Sequence, residues 1–134
     1  MTTGIMVLYA DDTSFTFLTP EGHMSAGMIT FPAQTDAAGR TIAQIRMLLR
    51  CSDPLFEGMW PLARRGEDVF WTGVLRNLAA AHGVEHVEVS EHTVCVDRRR
   101  LWSNWRNVRH NAGIRTLTHT LSAPFRPRRT GTAV

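Results

Sequence analysis

The chain contains no lysine; all 15 cationic side chains are arginine. Schiff-base chemistry on a lysine amine is thereby excluded, and every positive site is a planar fork suited to carboxylate or phosphate. Cysteine is scarce, with Cys51 and Cys95 alone, each set in an apolar run (LLRCS and HTVCVD) where a small buried hydrophobe would also sit, so that no disulfide is needed. No uninterrupted apolar stretch approaches the ~20 residues of a membrane-spanning helix, and Met1-Thr2-Thr3-Gly4 lacks the charged start and apolar run of a secretory leader, so a cytoplasmic location is expected. Metal-binding motifs, phosphate-cradling glycine loops and catalytic-triad spacings are missing too, and no cofactor is implied.

What is present is enough for one domain: 134 residues, 43% of them hydrophobic. Charge is distributed unevenly. From His92 onward there are nine arginines against one acid, Asp97, whereas residues 1–91 are net acidic. The basic character belongs to the C-terminal segment.

Period-two patterns dominate the first fifty residues. Ile5–Tyr9 is apolar and leads through Asp11-Asp12 into Ser14–Thr19, where Phe15 and Phe17 share a face, a hairpin pattern. Ala26–Gln34 and Arg40–Arg50 flank Asp36-Ala37-Ala38-Gly39, a second hairpin with Ile45, Met47 and Leu49 alternating against Gln44, Arg46 and Leu48. Pro32 cannot donate to a ladder, so its strand should be an edge or be bulged there. Ser52-Asp53-Pro54 is a helix start, with serine or aspartate as the cap. A short apolar face interrupted by Pro61 follows, and then the most regular helix pattern, Arg64–His82, with Phe70, Trp71, Val74, Leu75 and Leu78 at three- and four-residue spacings and Gly83 beyond its end. Val84–Val96 alternates as a further strand or irregular hairpin. From Arg99 a basic amphipathic helix is expected, weakened at Gly113 and ended by Pro124 and Pro127, with a disordered tail after it.

Hairpins followed by a long amphipathic helix predict an α+β fold, an antiparallel sheet packed on that helix. The expected division is residues 1–97 as the α+β domain, 98–123 as the basic helix and 124–134 as the tail. A groove between sheet and helix would suit an apolar ligand.

Four motifs in order, F-L-T-P-E-G-H (Phe17–His23), S-A-G-M-I-T-F (Ser25–Phe31), R-C-S-D-P-L-F (Arg50–Phe56) and E-D-V-F-W-T-G-V-L-R-N-L-A (Glu67–Ala79), resemble the START-like, or SRPBCC, superfamily, in particular bacterial members. The similarity covers roughly residues 5–90. The resemblance implies a helix-grip fold, with a curved antiparallel sheet around a long helix and an apolar cavity between them, and uses ranging from lipid or polyketide binding to cyclase and aromatase chemistry. The first strand and two short cavity-closing helices of that family would precede Ile5, which implies a fragment or a reduced cavity wall.

The ligand-binding candidates are His23, Met28, Arg46, Trp60, Phe70, Trp71 and Val74. His23 is the one weak catalytic candidate, as a carbonyl-polarising or proton-carrying group, with Glu21 directed elsewhere in an extended chain. The bland reading makes His23 a turn residue and the aromatic side chains core. His82 and His86 have a helical spacing, but Gly83 between them breaks it, so that with His92 and Cys95 they predict no metal site. Arg98, Arg99, Arg100, Trp102, Trp105, Arg106 and Arg109 are the candidates for contact with an anionic membrane or protein surface; without a nucleic-acid fold signature, nucleic acid ranks last. Three functions follow. The leading one is binding of an apolar or amphipathic small molecule without catalysis; the alternatives are a cyclase- or aromatase-like enzyme and an interaction module using the arginine-rich segment. A homodimer through an open sheet edge is the expected self-association.

Overall fold

The computed structural model describes residues 4–100 and 102–123. The tail expected over 124–134 lies outside the described residues. The fold class is α+β, with an antiparallel sheet of β1 (Met6–Ala10), β2 (Ser14–Leu18), β3 (Ser25–Thr35), β4 (Thr41–Ala43) and β5 (Arg46–Cys51). The first three strands form a meander, and β4 and β5 both pair with β3. The Asp11 carboxylate builds the first turn by accepting from the backbone N–H groups of Thr13 (2.8 Å) and Ser14 (2.7 Å). Asp36 does the same in the next hairpin, accepting from Ala38 and Arg40 at 2.9 Å each, while Gly39 supplies φ +77°.

The single strand expected over Arg40–Arg50 is two. The ladder pairs Ala33 with Ala43 and Thr30 with Arg46, so the break at Gln44-Ile45 falls opposite Phe31 and Pro32. Pro32 has no N–H to offer there, and its carbonyl accepts from the Gln44 N–H at 3.0 Å. Gly27 is needed for a different reason. At φ +147° a Cβ on it would lie 2.0 Å from the Leu48 carbonyl oxygen, so β3 and β5 close on each other only because this position has no side chain.

Helix α1 (Pro54–Ala81) is one element of 28 residues rather than a short segment followed by Arg64–His82. Asp53 is the cap, its carboxylate accepting from the Phe56 N–H at 2.8 Å, with Pro54 in the first turn. Pro61 lies inside the helix, where it has no N–H to donate to the preceding turn. The C-terminus closes as a Schellman motif: Val84 N–H donates to Ala79 and Gly83 N–H to Ala80, both at 3.0 Å, with Gly83 at φ +77°.

Residues 84–100 contain no strand, contrary to the valine alternation. Val94 and Val96 are exposed, and the alternation finds no ladder to join. The segment is tied down by charge. Arg50 donates to the Asp97 carboxylate (3.1 Å) and to the Arg99 carbonyl (2.8 Å), and hydrogen bonds from Arg99 and then Arg50 hold the Asp97 carboxyl well below the usual carboxylate range. The basic helix expected from Arg99 is also divided, into a 3₁₀ helix (Trp102–His110) and α2 (Ala112–Ser122), broken at Asn111. Asn111 caps α2 by accepting from the Gly113 N–H at 2.9 Å.

Packing is sparse: among the described residues Phe56 is the one buried hydrophobic side chain. The buried polar residues are Thr16, Ser25, Asp53 and Asn111. Asp53 and Asn111 meet directly, the Asn111 amide donating to the Asp53 carboxylate at 2.7 Å, which joins the caps of α1 and α2 across 58 positions of sequence.

Candidate functional site

The register divides the sheet into two chemically different faces. Phe15 pairs with Phe31, Phe17 with Ile29 and Ile29 with Met47, so these five side chains share one face. Phe31 reaches α1 there, its ring centroid 5.8 Å from that of Trp71. The rings continue in both directions: Phe15 stacks on Phe31 at 4.6 Å, Phe17 meets Phe31 edge-on at 5.6 Å, and Phe70 meets Trp71 edge-on at 4.9 Å. Pairs at these separations contribute about 0.5–1.5 kcal/mol each beyond their buried area. The row is nonetheless open, with Phe15 41% and Phe70 60% exposed and Met47 exposed beside them. The other face carries Thr16 and Thr30, whose hydroxyls bond at 3.0 Å, together with Met28, Arg46 and Leu48.

A second feature gathers around the turn at Pro20–His23. His23 N–H donates to the Pro20 carbonyl at 3.2 Å, and its Nδ1 lies 2.9 Å from the Ser25 carbonyl. Gly22 has φ +88°, and a Cβ on it would lie 2.6 Å from the His110 carbonyl oxygen; the Gly22 carbonyl accepts from the Ala112 N–H at 2.7 Å. Glu21 sits 3.0 Å from His110 Nδ1, Ser52 Oγ donates to the His23 carbonyl at 2.6 Å, and the Asn107 amide donates to the Ser52 carbonyl at 3.0 Å. Pro20–His23, Ser52, Asn107 and His110 line a cleft of about 270 Å³. His23 is a turn-forming residue bonded to the backbone of Pro20 and Ser25. A wider depression of about 530 Å³ lies between Arg76 on α1 and Glu85–Glu88 and is lined mainly by charged groups.

Compared with known proteins, the chain matches no family model, no curated protein and no solved structure.

The seven ligand-binding candidates are not brought together. Phe70, Trp71 and Val74 are on α1, where Trp71 meets the aromatic face and Phe70 meets Trp71, and Trp60 packs edge-on against Phe56 at 5.9 Å. Met28 and Arg46 occupy the opposite face of the sheet, because their partners in the register alternate away from Phe31 and Trp71; Arg46 donates to the Gln44 side chain at 2.8 Å. His23 belongs to the cleft. Phe15, Phe17, Ile29, Phe31 and Met47 share the aromatic face and are not among the seven candidates, although period two in the sequence puts Phe15 and Phe17 on one face. Of the basic candidates, Arg99 pairs with Asp97 at 3.1 Å, Arg109 donates to His110 at 3.1 Å, and Arg106 lies 5.8 Å from the Trp105 ring, with Trp102 and Trp105 both exposed. Arg98 and Arg100 are exposed.

Among the described residues no three His, Cys, Asp or Glu side chains gather as a metal-sized group. Both cysteines are free, and Cys95 is exposed despite its apolar neighbours in sequence. Burial, with Glu57 and Asp53 adding to it, pushes the Cys51 thiol up to about 11. At pH 8 iodoacetamide is therefore expected to label Cys95 in the native protein and spare Cys51, with both labelled in urea; peptide mapping that finds Cys51 labelled natively contradicts this.

Proposed function

We propose that the chain is a START-like domain of the helix-grip kind that binds an apolar or amphipathic small molecule, lipid- or polyketide-like, between its sheet and α1, without chemistry of its own. The observation that carries the reading is the continuous row Phe17–Phe15–Phe31–Trp71–Phe70, open to solvent at Phe15 and Phe70. An exposed apolar surface beside a helix is the lining that such ligands require. The sequence resemblance points to the same ligand class. Native mass spectrometry with a panel of fatty acids and aromatic polyketide mimics is expected to show stoichiometric adducts that Phe15→Ser combined with Phe70→Ser abolishes. No adduct across the panel, or adducts unchanged in that double variant, would remove the assignment.

A second reading is favoured by exposed Trp102 and Trp105 with Arg106 beside the latter ring, an arrangement suited to the interface of an anionic membrane. Trp102→Ala combined with Trp105→Ala is expected to weaken salt-sensitive binding to phosphatidylserine vesicles by at least tenfold. Equal binding by the double variant ends this reading.

A further inference from the structure

The sheet has two edges, and they differ. On one side β4 is three residues long, the ladder is broken at Gln44-Ile45, β5 carries Arg46 and Arg50, and Arg50 holds Asp97 and Arg99 alongside that edge. Interruption, positive charge and a covering segment are the ways in which edges are kept from pairing with other chains. On the other side is β1. Every residue from Ile5 to Tyr9 is a large apolar or aromatic side chain, each at least half exposed, and the strand has no charge and no proline. Its one irregularity is between Val7 and Tyr9, where Leu8 has no partner on β2.

The surface as a whole is also too large for a lone globule. The accessible area is 11047 Å², whereas a compact chain of 15.1 kDa exposes about 7,100 Å². Setting aside about 2,400 Å² for the fifteen residues outside the described range still leaves an excess of roughly 1,500 Å². Obligate dimers bury about 1,000–2,500 Å² on each partner.

We infer that β1 is the centre of a two-fold interface with a second copy of this chain, the two β1 strands pairing antiparallel to give one continuous sheet. A second copy suits the edge because an isologous contact requires the strand to be complementary to itself. Centred near Leu8, the pairing sets apolar residues opposite apolar residues along its length and puts Asp11 of each copy across from Ile5 of the other, so no like charges face each other. The register also extends the aromatic face, since Val7 lies beside Phe17 and Ala10 beside Phe15. The inference does not depend on which ligand, if any, covers that face.

Light scattering on the full chain is expected to give twice the 15.1 kDa of one copy. Leu8→Lys, which places a charge in the strand, is expected to give a monomer with unchanged far-ultraviolet circular dichroism, and Leu48→Lys, at the opposite edge, a dimer. A wild-type monomer at all concentrations, a polydisperse assembly, or a dimer that survives Leu8→Lys and is lost in Leu48→Lys overturns the assignment. If Leu8→Lys does not fold, hydrogen exchange on the wild type serves instead. Protection of the β1 amides should fall on dilution, and exchange that is independent of concentration overturns it.

Discussion

Gly27→Ala is expected to destabilise the protein by about 4 kcal/mol or more. Two costs act together at this position. Its φ of +147° is one that an L side chain rarely adopts, and a Cβ would lie 2.0 Å from the Leu48 carbonyl oxygen, which is itself part of the β3–β5 ladder. Backbone strain of this kind costs about 1–3 kcal/mol; separating two paired strands to relieve the overlap adds enough for a total of about 4 kcal/mol or more. Against the ~5–15 kcal/mol that an ordinary domain has available, and with Phe56 the one buried hydrophobic side chain among the described residues, little stability remains. Gly39→Ala isolates the first cost, because that glycine is at φ +77° with nothing near its would-be Cβ. It is expected to lose only about 1–2 kcal/mol. Urea denaturation followed by circular dichroism checks both; equal midpoints for the two variants would mean that the overlap at Gly27 does not limit the fold.

Asn111→Ala is expected to cost about 3 kcal/mol and to release the C-terminal helices. The change removes the α2 cap, worth about 1 kcal/mol. It also removes a donor from a carboxylate that is 2% exposed, and a hydrogen bond to a charged group contributes about 1.5–3 kcal/mol. Asn107→Ala, which loses one amide contact to the Ser52 carbonyl at an exposed position, should cost under about 1 kcal/mol. Limited proteolysis should cut Asn111→Ala early in the irregular segment after α1 and leave Asn107→Ala as resistant as the wild type. Identical digestion of the two variants would show that the Asp53–Asn111 contact does not hold the segment in place.

These two positions also mark where the sequence was and was not readable. Turns built by Asp11, Asp36 and Gly39, the helix start at Asp53-Pro54 and the helix stop at Gly83 are local structures whose chemistry lies within a few residues, and they stand as the pattern indicates, whereas the joining of the two expected helical segments through Pro61 does not follow from it. Pro32 was legible only in part: β3 is a central strand rather than an edge and its register with β2 is regular, and the missing donor lies opposite the break between β4 and β5 instead. Gly27 was not, because S-A-G-M-I reads as an ordinary strand until β5 is laid against it. Asp53 alone reads as a simple cap, and Asn111, 58 positions away, falls inside what reads as one continuous basic helix. The valines of 84–96 show the converse error: alternation describes a side-chain pattern, whereas a strand requires a neighbour to bond.

At the candidate site, the period-two rule was sufficient to assign faces, and it separates Met28 and Arg46 from Phe31 and Trp71 once the register is known. His23, which looked like the polar group most suited to chemistry, is engaged with the Ser25 backbone in a turn that Gly22 allows to approach His110 closely. The open row of rings across β2, β3 and α1 is the more distinctive feature, and it contains no ionisable group. That composition suits holding an apolar molecule.

The most direct test is a titration of the isotopically labelled chain with a medium-length fatty acid, followed by amide and aromatic nuclear magnetic resonance. The ligand reading requires saturable shifts concentrated on Phe15, Phe17, Phe31, Phe70 and Trp71, with the cleft around Thr19–His23 unchanged. Shifts confined to that cleft, or none at all, would contradict it.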